Sequence, residues 1–218
     1  MKRIRRILLC ILMITVLCGI SVVGNSVVKS ENKSKEKKRT TITKEEVKEW
    51  AAPDEEMLEY YDLGEFSTTI PIVYMNTKGQ QVLKENAIWG NIALLDGNGE
   101  EQSVFSLPNS IYRATIKYRG ASSYSKFDKK QYRVEFYKNN KDSTKKVSLA
   151  GMGANSEWVL NGPYLDKTLI RNKLVYDLAR ELNGWAPDTR FVELFVDGEY
   201  QGVYLAVEPV TNGESRLR

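Results

Sequence analysis

The chain has 218 residues, enough for one globular domain of ordinary size plus whatever leads into it. It contains no histidine, which excludes a Ser-His-Asp triad, a Cys-His pair and any histidine-ligated zinc or haem site supplied by this chain. The net charge of +4 owes much to lysines and arginines near the amino terminus, so basicity is weak ground for a nucleic-acid partner, and none is expected.

Lys2, Arg3, Arg5 and Arg6 precede an apolar run, Ile7 to Val23, that carries no charge. This is the pattern of an export signal. The length leaves a cleaved signal peptide and an uncleaved membrane anchor both open for residues 1–24. The positive end is expected in the cytoplasm, with the rest of the chain exported or held on the outer face of the membrane. Cys10 and Cys18, the two cysteines of the chain, both fall in this run, so the remainder has no thiol nucleophile, disulfide or thiolate metal site. Leu17 before Cys18 is bulkier than lipoprotein processing usually accepts, which favours Cys18 as a plain apolar residue. Residues 25–65 read as a polar, Lys-rich linker. Within it Thr43 and Glu46 form a capping-box pattern for a short helix through Val47 and Trp50, ending before Pro53.

The domain is expected over residues 66–218. Ile70–Met75 and Ala87–Leu95 read as strands, Asp96-Gly97-Asn98-Gly99 as a turn, and Ser103–Leu107 as a further strand. Tyr112, Ala114, Ile116 and Tyr118 alternate with Arg113, Thr115, Lys117 and Arg119, and Tyr132, Val134 and Phe136 alternate with Arg133, Glu135 and Tyr137. Both are period-two strands with one buried face. The loop between them, Arg119 to Lys130, holds Gly120, Ser122, Ser123, Ser125 and the cations Arg119, Lys126, Lys129 and Lys130. That composition suits an anion, phosphate above all, and equally an ordinary solvated hairpin connection. It matches neither the P-loop nor the GxGxxG pattern.

Trp158-Val159-Leu160 reads as a buried strand end, broken by Asn161-Gly162-Pro163. Asp166 then opens a long helix as its N-cap, with Lys167 and Arg171 in its first turns. Ile170, Leu174, Leu178 and Leu182, joined by Val175 and Ala179, predict a core-facing stripe, and Asn183-Gly184 a stop. Arg171 suits either a structural ion pair or an anion near the elbow. Phe191–Val196 and Gln201–Glu208 around Asp197-Gly198 are the clearest hairpin in the chain, and both of its faces are mostly apolar. Glu193 and Glu208 are then carboxylates beside buried strands, where a Lys or Arg partner is expected.

In order and approximate spacing, four blocks resemble the CotH kinase family. They are Arg119-Gly120 with Ser122-Ser123, the KK-x-Y-R run from Lys129 to Arg133, the elbow WVLNGPYLDKTLIRN from Trp158, and RFVELFVDGEYQGVYLAVE from Arg190 to Glu208. The elbow and hairpin blocks together are specific; the first block alone is not. The resemblance implies an α+β fold: a β-rich mixed sheet with a long packed helix, a divergent protein kinase-like fold incomplete at its carboxyl end. It also implies ATP and Mg2+ as cofactors, and Ser or Thr of secreted, coat or cell-wall proteins as acceptors. On that resemblance Arg119, Ser122, Ser123 and Lys129 or Lys130 would line the nucleotide phosphates. Asp166, Arg171 and Asn172 would organise the adjoining cleft, and Glu208 or Glu193 would hold the phosphate-binding lysine. The family's catalytic and metal-binding aspartates would lie past the hairpin, so no catalytic or metal-binding residue is assigned to this chain, and little phosphotransfer is expected of it alone.

Three rivals remain open from the residues. Trp89, Trp158, Trp185 and the tyrosines would serve an exported carbohydrate- or cell-wall-binding module. Paired carboxylates would suffice for a glycoside hydrolase, although no spacing favours a pair. A degenerate kinase fold would serve as a non-catalytic coat scaffold.

Overall fold

The computed structural model describes residue 50 and residues 66–139 and 143–210. The leader of residues 1–24 and, Trp50 apart, the linker of residues 25–65 with its short helix lie outside the described residues. Nine strands are described. They are Ser67–Thr68 (β1), Ile72–Asn76 (β2), Ile88–Leu95 (β3), Gln102–Ser103 (β4), Ser110–Arg119 (β5), Gln131–Phe136 (β6), Glu157–Asn161 (β7), Thr189–Val196 (β8) and Glu199–Val207 (β9). Two helices accompany them, Ser122–Lys126 (α1) and Arg171–Asn183 (α2).

Seven strands close into a barrel in the order β2-β3-β5-β6-β7-β9-β8, and β1 pairs with β4 apart from it. All barrel neighbours are antiparallel except β2 and β8, which run parallel with Ile72 opposite Glu193. That parallel pair closes the sheet and leaves no barrel edge open to pair with another chain. The two alternating strands behave as their sequences predict. Ala114, Ile116, Val134 and Phe136 point into the barrel with Met75, Ile92, Trp158, Leu160, Val192 and Leu194, while Arg113, Lys117, Arg133 and Glu135 point out. Trp158 is wholly buried, and its indole N–H lies 3.2 Å from the carbonyl oxygens of both Val147 and Asn155.

Two smaller apolar clusters lie on the outside of the barrel. Ile72, Tyr74 and Phe195 pack with Trp50 and Phe66, and Trp50 meets Tyr74 edge-on at 5.5 Å. Val159, Leu205 and Val207 pack with Phe191 and with Tyr176 of α2. The hairpin turn at Asp197-Gly198 has both residues at positive φ, as its Asp-Gly pair predicts. Asp197 also accepts bonds from the Thr77 backbone N–H at 2.7 Å and the Thr77 hydroxyl at 2.5 Å, tying the turn to the end of β2.

Two expectations fail. The strand expected over Ser103–Leu107 shrinks to Gln102–Ser103, because its partner β1 is only two residues long and the chain turns at Ser106 back onto Ser103. The larger correction concerns the helix. It starts at Arg171, not Asp166, because Leu169 takes a left-handed conformation (φ 63°) that no α-helix can contain. No residue of α2 is buried: Leu174 is 62% exposed, Val175 64%, Leu178 51% and Leu182 74%, and Ile170 just before it is 52% exposed. The expected core-facing stripe therefore faces solvent. What meets the barrel is Tyr176, about 160° around the helix from both Leu174 and Leu178. Arg180 adds an ion pair to Asp188 at 3.1 Å and a bond to the Ala186 carbonyl. Periodicity establishes that α2 is amphipathic; it does not say which side the barrel takes. Among the described residues no helix is long and apolar enough to cross a membrane.

Candidate functional site

One cross-strand row organises the outer face of the barrel. Lys117 on β5 stands opposite Arg133 on β6, Arg133 opposite Val159 on β7, and Val159 opposite Val207 on β9. Side chains in such a row share a face, and three inter-strand spacings make it roughly 14 Å long. All four residues line one cavity of about 710 Å³. The row is cationic at its β5–β6 end and apolar at its β7–β9 end.

Elements around the row build the walls. Tyr176 of α2, Pro187, Pro209 and Val210 enclose the apolar end. Arg119 and Gly120 continue β5 at the cationic end, and Lys84 comes down from the loop between β2 and β3. Glu157, Asn161 and Glu208 supply the remaining polar groups. Four cations thus face two carboxylates. Arg133 and Glu157 neutralise each other through a 2.6 Å ion pair, and Glu208 accepts the Asp188 backbone N–H at 3.0 Å. Lys84, Lys117 and Arg119 keep an excess of positive charge at one end. Such a cavity suits an anion that carries an apolar or aromatic part.

The loop between β5 and β6 is more ordered than a plain solvated connection. Gly120 takes φ 95°, and a Cβ there would run into the Ser123 hydroxyl, so glycine alone allows the chain to turn this tightly into α1. Lys130 closes the other end by donating to the Tyr124 and Phe127 carbonyls at 2.8 and 2.7 Å. The elbow packs beneath this loop. A Cβ on Gly162 would lie 2.9 Å from Lys129 Cγ, 3.0 Å from Tyr204 Cε1 and 3.2 Å from the Lys130 carbonyl oxygen.

Of the residues expected at the site, Arg119 and Glu208 line the cavity. Ser122 and Ser123 lie next to it in chain order, in α1, without lining it. Lys129 and Lys130 do not reach it. Lys129 donates to the Val203 carbonyl at 2.9 Å and lies over the Tyr204 ring, while Lys130 is committed to the end of α1. Glu193, not Glu208, is the carboxylate that acts on Lys129 electrostatically. Burial lowers the Lys129 ammonium below its ordinary range and raises Glu193 above its own, with Tyr200 donating to Glu193 at 2.6 Å.

Asp166, Arg171 and Asn172 lie away from the cavity lining. Asp166 is not the N-cap, a position taken by Ile170. It accepts the Thr168 hydroxyl at 2.6 Å and the Arg171 backbone N–H at 2.8 Å, bonds that hold its carboxyl below the usual range. The Arg171 guanidinium turns back to Asp166 at 3.5 Å, and the side chain is largely exposed. Asn172 is exposed in the first turn of α2.

Lys84, Lys117, Arg133, Glu157, Asn161 and Tyr176 were not assigned to the site from sequence, although Arg133 ends the KK-x-Y-R run and Asn161 opens the break after Leu160. The signal for Lys117 and Arg133 was present, since both are outward positions on strands whose inward faces alternate cleanly. Lys84 sits in a loop without pattern. The tryptophans that would serve a sugar-binding platform are not assembled: Trp158 is in the core, and exposed Trp89 carries the Arg113 guanidinium over its ring at 3.8 Å.

The chain is, then, a β-barrel domain with a cleft that is cationic at one end and apolar at the other. Over residues 116–217, a little under half of its length, the chain matches the family model described as CotH kinase protein. It is also 37% identical over 95 residues to the inner spore coat protein H of Bacillus subtilis (strain 168). That match covers 44% of this chain and 23% of the relative.

Proposed function

We propose that this domain is a nucleotide-binding part of an exported CotH-type protein kinase. In this reading the whole protein passes the γ-phosphoryl group of ATP to Ser or Thr of coat or cell-wall proteins. The observation that carries the reading is the Lys117-Arg133-Val159-Val207 row, which offers cations for a polyphosphate and an apolar wall for a base within one cavity. The kinase-like character of the fold is part of the same proposal, supported by the glycine-turned loop that leads off the cationic end. The match to the CotH family model and the name of the bacterial relative support a coat-associated role. The apolar run of Ile7 to Val23 supports export.

ATP fits the residues present. Its base and ribose would lie against Val159, Val207 and Tyr176, and its phosphates toward Lys117 and Arg119, where the chain's own part is to bind, orient and neutralise charge. Bound ATP would supply the phosphoryl group. Mg2+ is a different matter: among the described residues no three His, Cys, Asp or Glu side chains cluster to hold a metal.

Calorimetric titration of the full chain tests the reading. ATP is expected to bind, and Arg119→Ala to weaken it about tenfold, or about 1.4 kcal/mol, while adenosine binding is retained. Stabilisation of the chain by an oligosaccharide, with no response to ATP, would overturn it.

A further inference from the structure

We propose that Lys84 is a polyphosphate-binding residue of this site, so that the β2–β3 loop, which precedes the family-matched segment of residues 116–217, completes the nucleotide pocket. The inference rests on the nucleotide reading of the cavity and adds a contact to it.

The loop is held in place although it has no regular structure. The Tyr118 backbone N–H donates to the Leu83 carbonyl at 2.9 Å, fixing the residue next to Lys84 against the end of β5. Val82 is buried in the barrel core. Gln80 donates to the carbonyls of Thr77 at 3.2 Å and Trp89 at 2.9 Å, bracing the loop across its base. Lys84 is therefore delivered to the cavity rim from an anchored backbone and not from a freely swinging tail.

Its ammonium lies 5.3 Å from the centre of the Tyr124 ring, on α1. Lys130 lies over the same ring at 5.2 Å, but it already donates to two carbonyls. Among the described residues Lys84 has no hydrogen-bond or carboxylate partner, so its donors are available to a ligand. The ring contact orients the ammonium without neutralising it. Lys84 faces the same cavity as Lys117 and Arg119, which come from β5, and none of the three is ion-paired to a carboxylate of the cavity. Three cations drawn from two separate segments at one end of a cleft suit a chain of phosphates better than a single carboxylate or sulfate.

The test is calorimetric titration of the full chain and its Lys84→Ala, Lys84→Arg and Lys146→Ala variants with ATP, ADP and adenosine at two salt concentrations. Lys146 is an exposed lysine outside the cavity lining and controls for net charge. Lys84→Ala is expected to weaken ATP and ADP about tenfold, to leave adenosine unchanged and to flatten the salt dependence of ATP binding. Lys84→Arg is expected to stay close to the parent, and Lys146→Ala to match it. The ligand-free melting temperature of Lys84→Ala should stay within about 2 °C of the parent, which separates loss of a ligand contact from loss of fold. If the parent binds ATP and Lys84→Ala binds it equally well, the assignment of Lys84 fails and the nucleotide reading stands. An equal loss of adenosine affinity also overturns it, since Lys84 would then act through packing on Tyr124. A parent chain that binds none of the three ligands sinks both.

Discussion

Truncating the apolar stripe of α2 discriminates sharply between a helix packed into the core and one that turns its leucines outward. Leu174, Leu178 and Leu182 are 62%, 51% and 74% exposed, so each has lost only part of its apolar surface to the fold. Full burial of a leucine contributes about 1.5–3 kcal/mol, which leaves Leu178, the most covered of the three, roughly 1 kcal/mol. Alanine is also the better helix former and returns a few tenths of that. Leu178→Ala is therefore expected to cost under about 1 kcal/mol, and the triple Leu174→Ala, Leu178→Ala, Leu182→Ala variant under about 3 kcal/mol. The core positions these residues imitate in sequence would each cost about 2–5 kcal/mol. Urea unfolding followed by tryptophan fluorescence gives the answer, because Trp158 lies in the barrel core and reports its loss. A cost of 2 kcal/mol or more for Leu178→Ala alone would refute the outward orientation of the stripe.

Glu193→Gln tests the buried carboxylate. Burial raises the Glu193 pKa above its ordinary value of 4.5 despite the Tyr200 hydroxyl and the Lys129 charge. A raised carboxyl favours the fold at pH values below its unfolded pKa, and that contribution is lost as pH climbs through the folded value. The parent should lose stability relative to Glu193→Gln from about pH 4.5 upward; a difference that is flat or reversed in denaturation midpoints between pH 4 and 7 would contradict this. At the elbow, Gly162→Ala is expected to destabilise by about 1–3 kcal/mol in urea, because the new methyl meets Lys129 Cγ at 2.9 Å and a backbone oxygen at 3.2 Å. A neutral result would mean that the elbow has room to spare.

How far the site could be read from the chain depended on whether its residues lay on patterned elements. The inward positions Ala114, Ile116, Val134 and Phe136 follow from period-two alternation, because a pleated strand sends neighbours to opposite faces whatever its partners are. Lys117 and Arg133 follow as outward residues, but that they stand opposite each other depends on register. The loop cations Lys129 and Lys130 show the limit of reading by composition. Both have the right chemistry for phosphate, and both are used by the fold, on the Val203 carbonyl and on the end of α1. Asp166 is a comparable case, a capping residue by type that does not hold the N-cap position and instead accepts the Arg171 N–H from five positions before it, because Leu169 interrupts the turn.

By itself the sequence determined the strand faces, the Asp197-Gly198 hairpin, the amphipathic character of α2, the absence of histidine chemistry and the resemblance to the CotH family. Each is a property of neighbouring residues or of motif order. The tertiary structure alone decided the parallel β2–β8 closure, the side of α2 that meets the barrel, and the meeting of Lys84 with Lys117, Arg119 and Tyr176 around one cavity. These are contacts between segments distant in the chain, and a periodic pattern carries no information about the partner it will face. The cleft belongs to the second group: its cations and its apolar wall come from separate elements, and only the closed barrel sets them in one row.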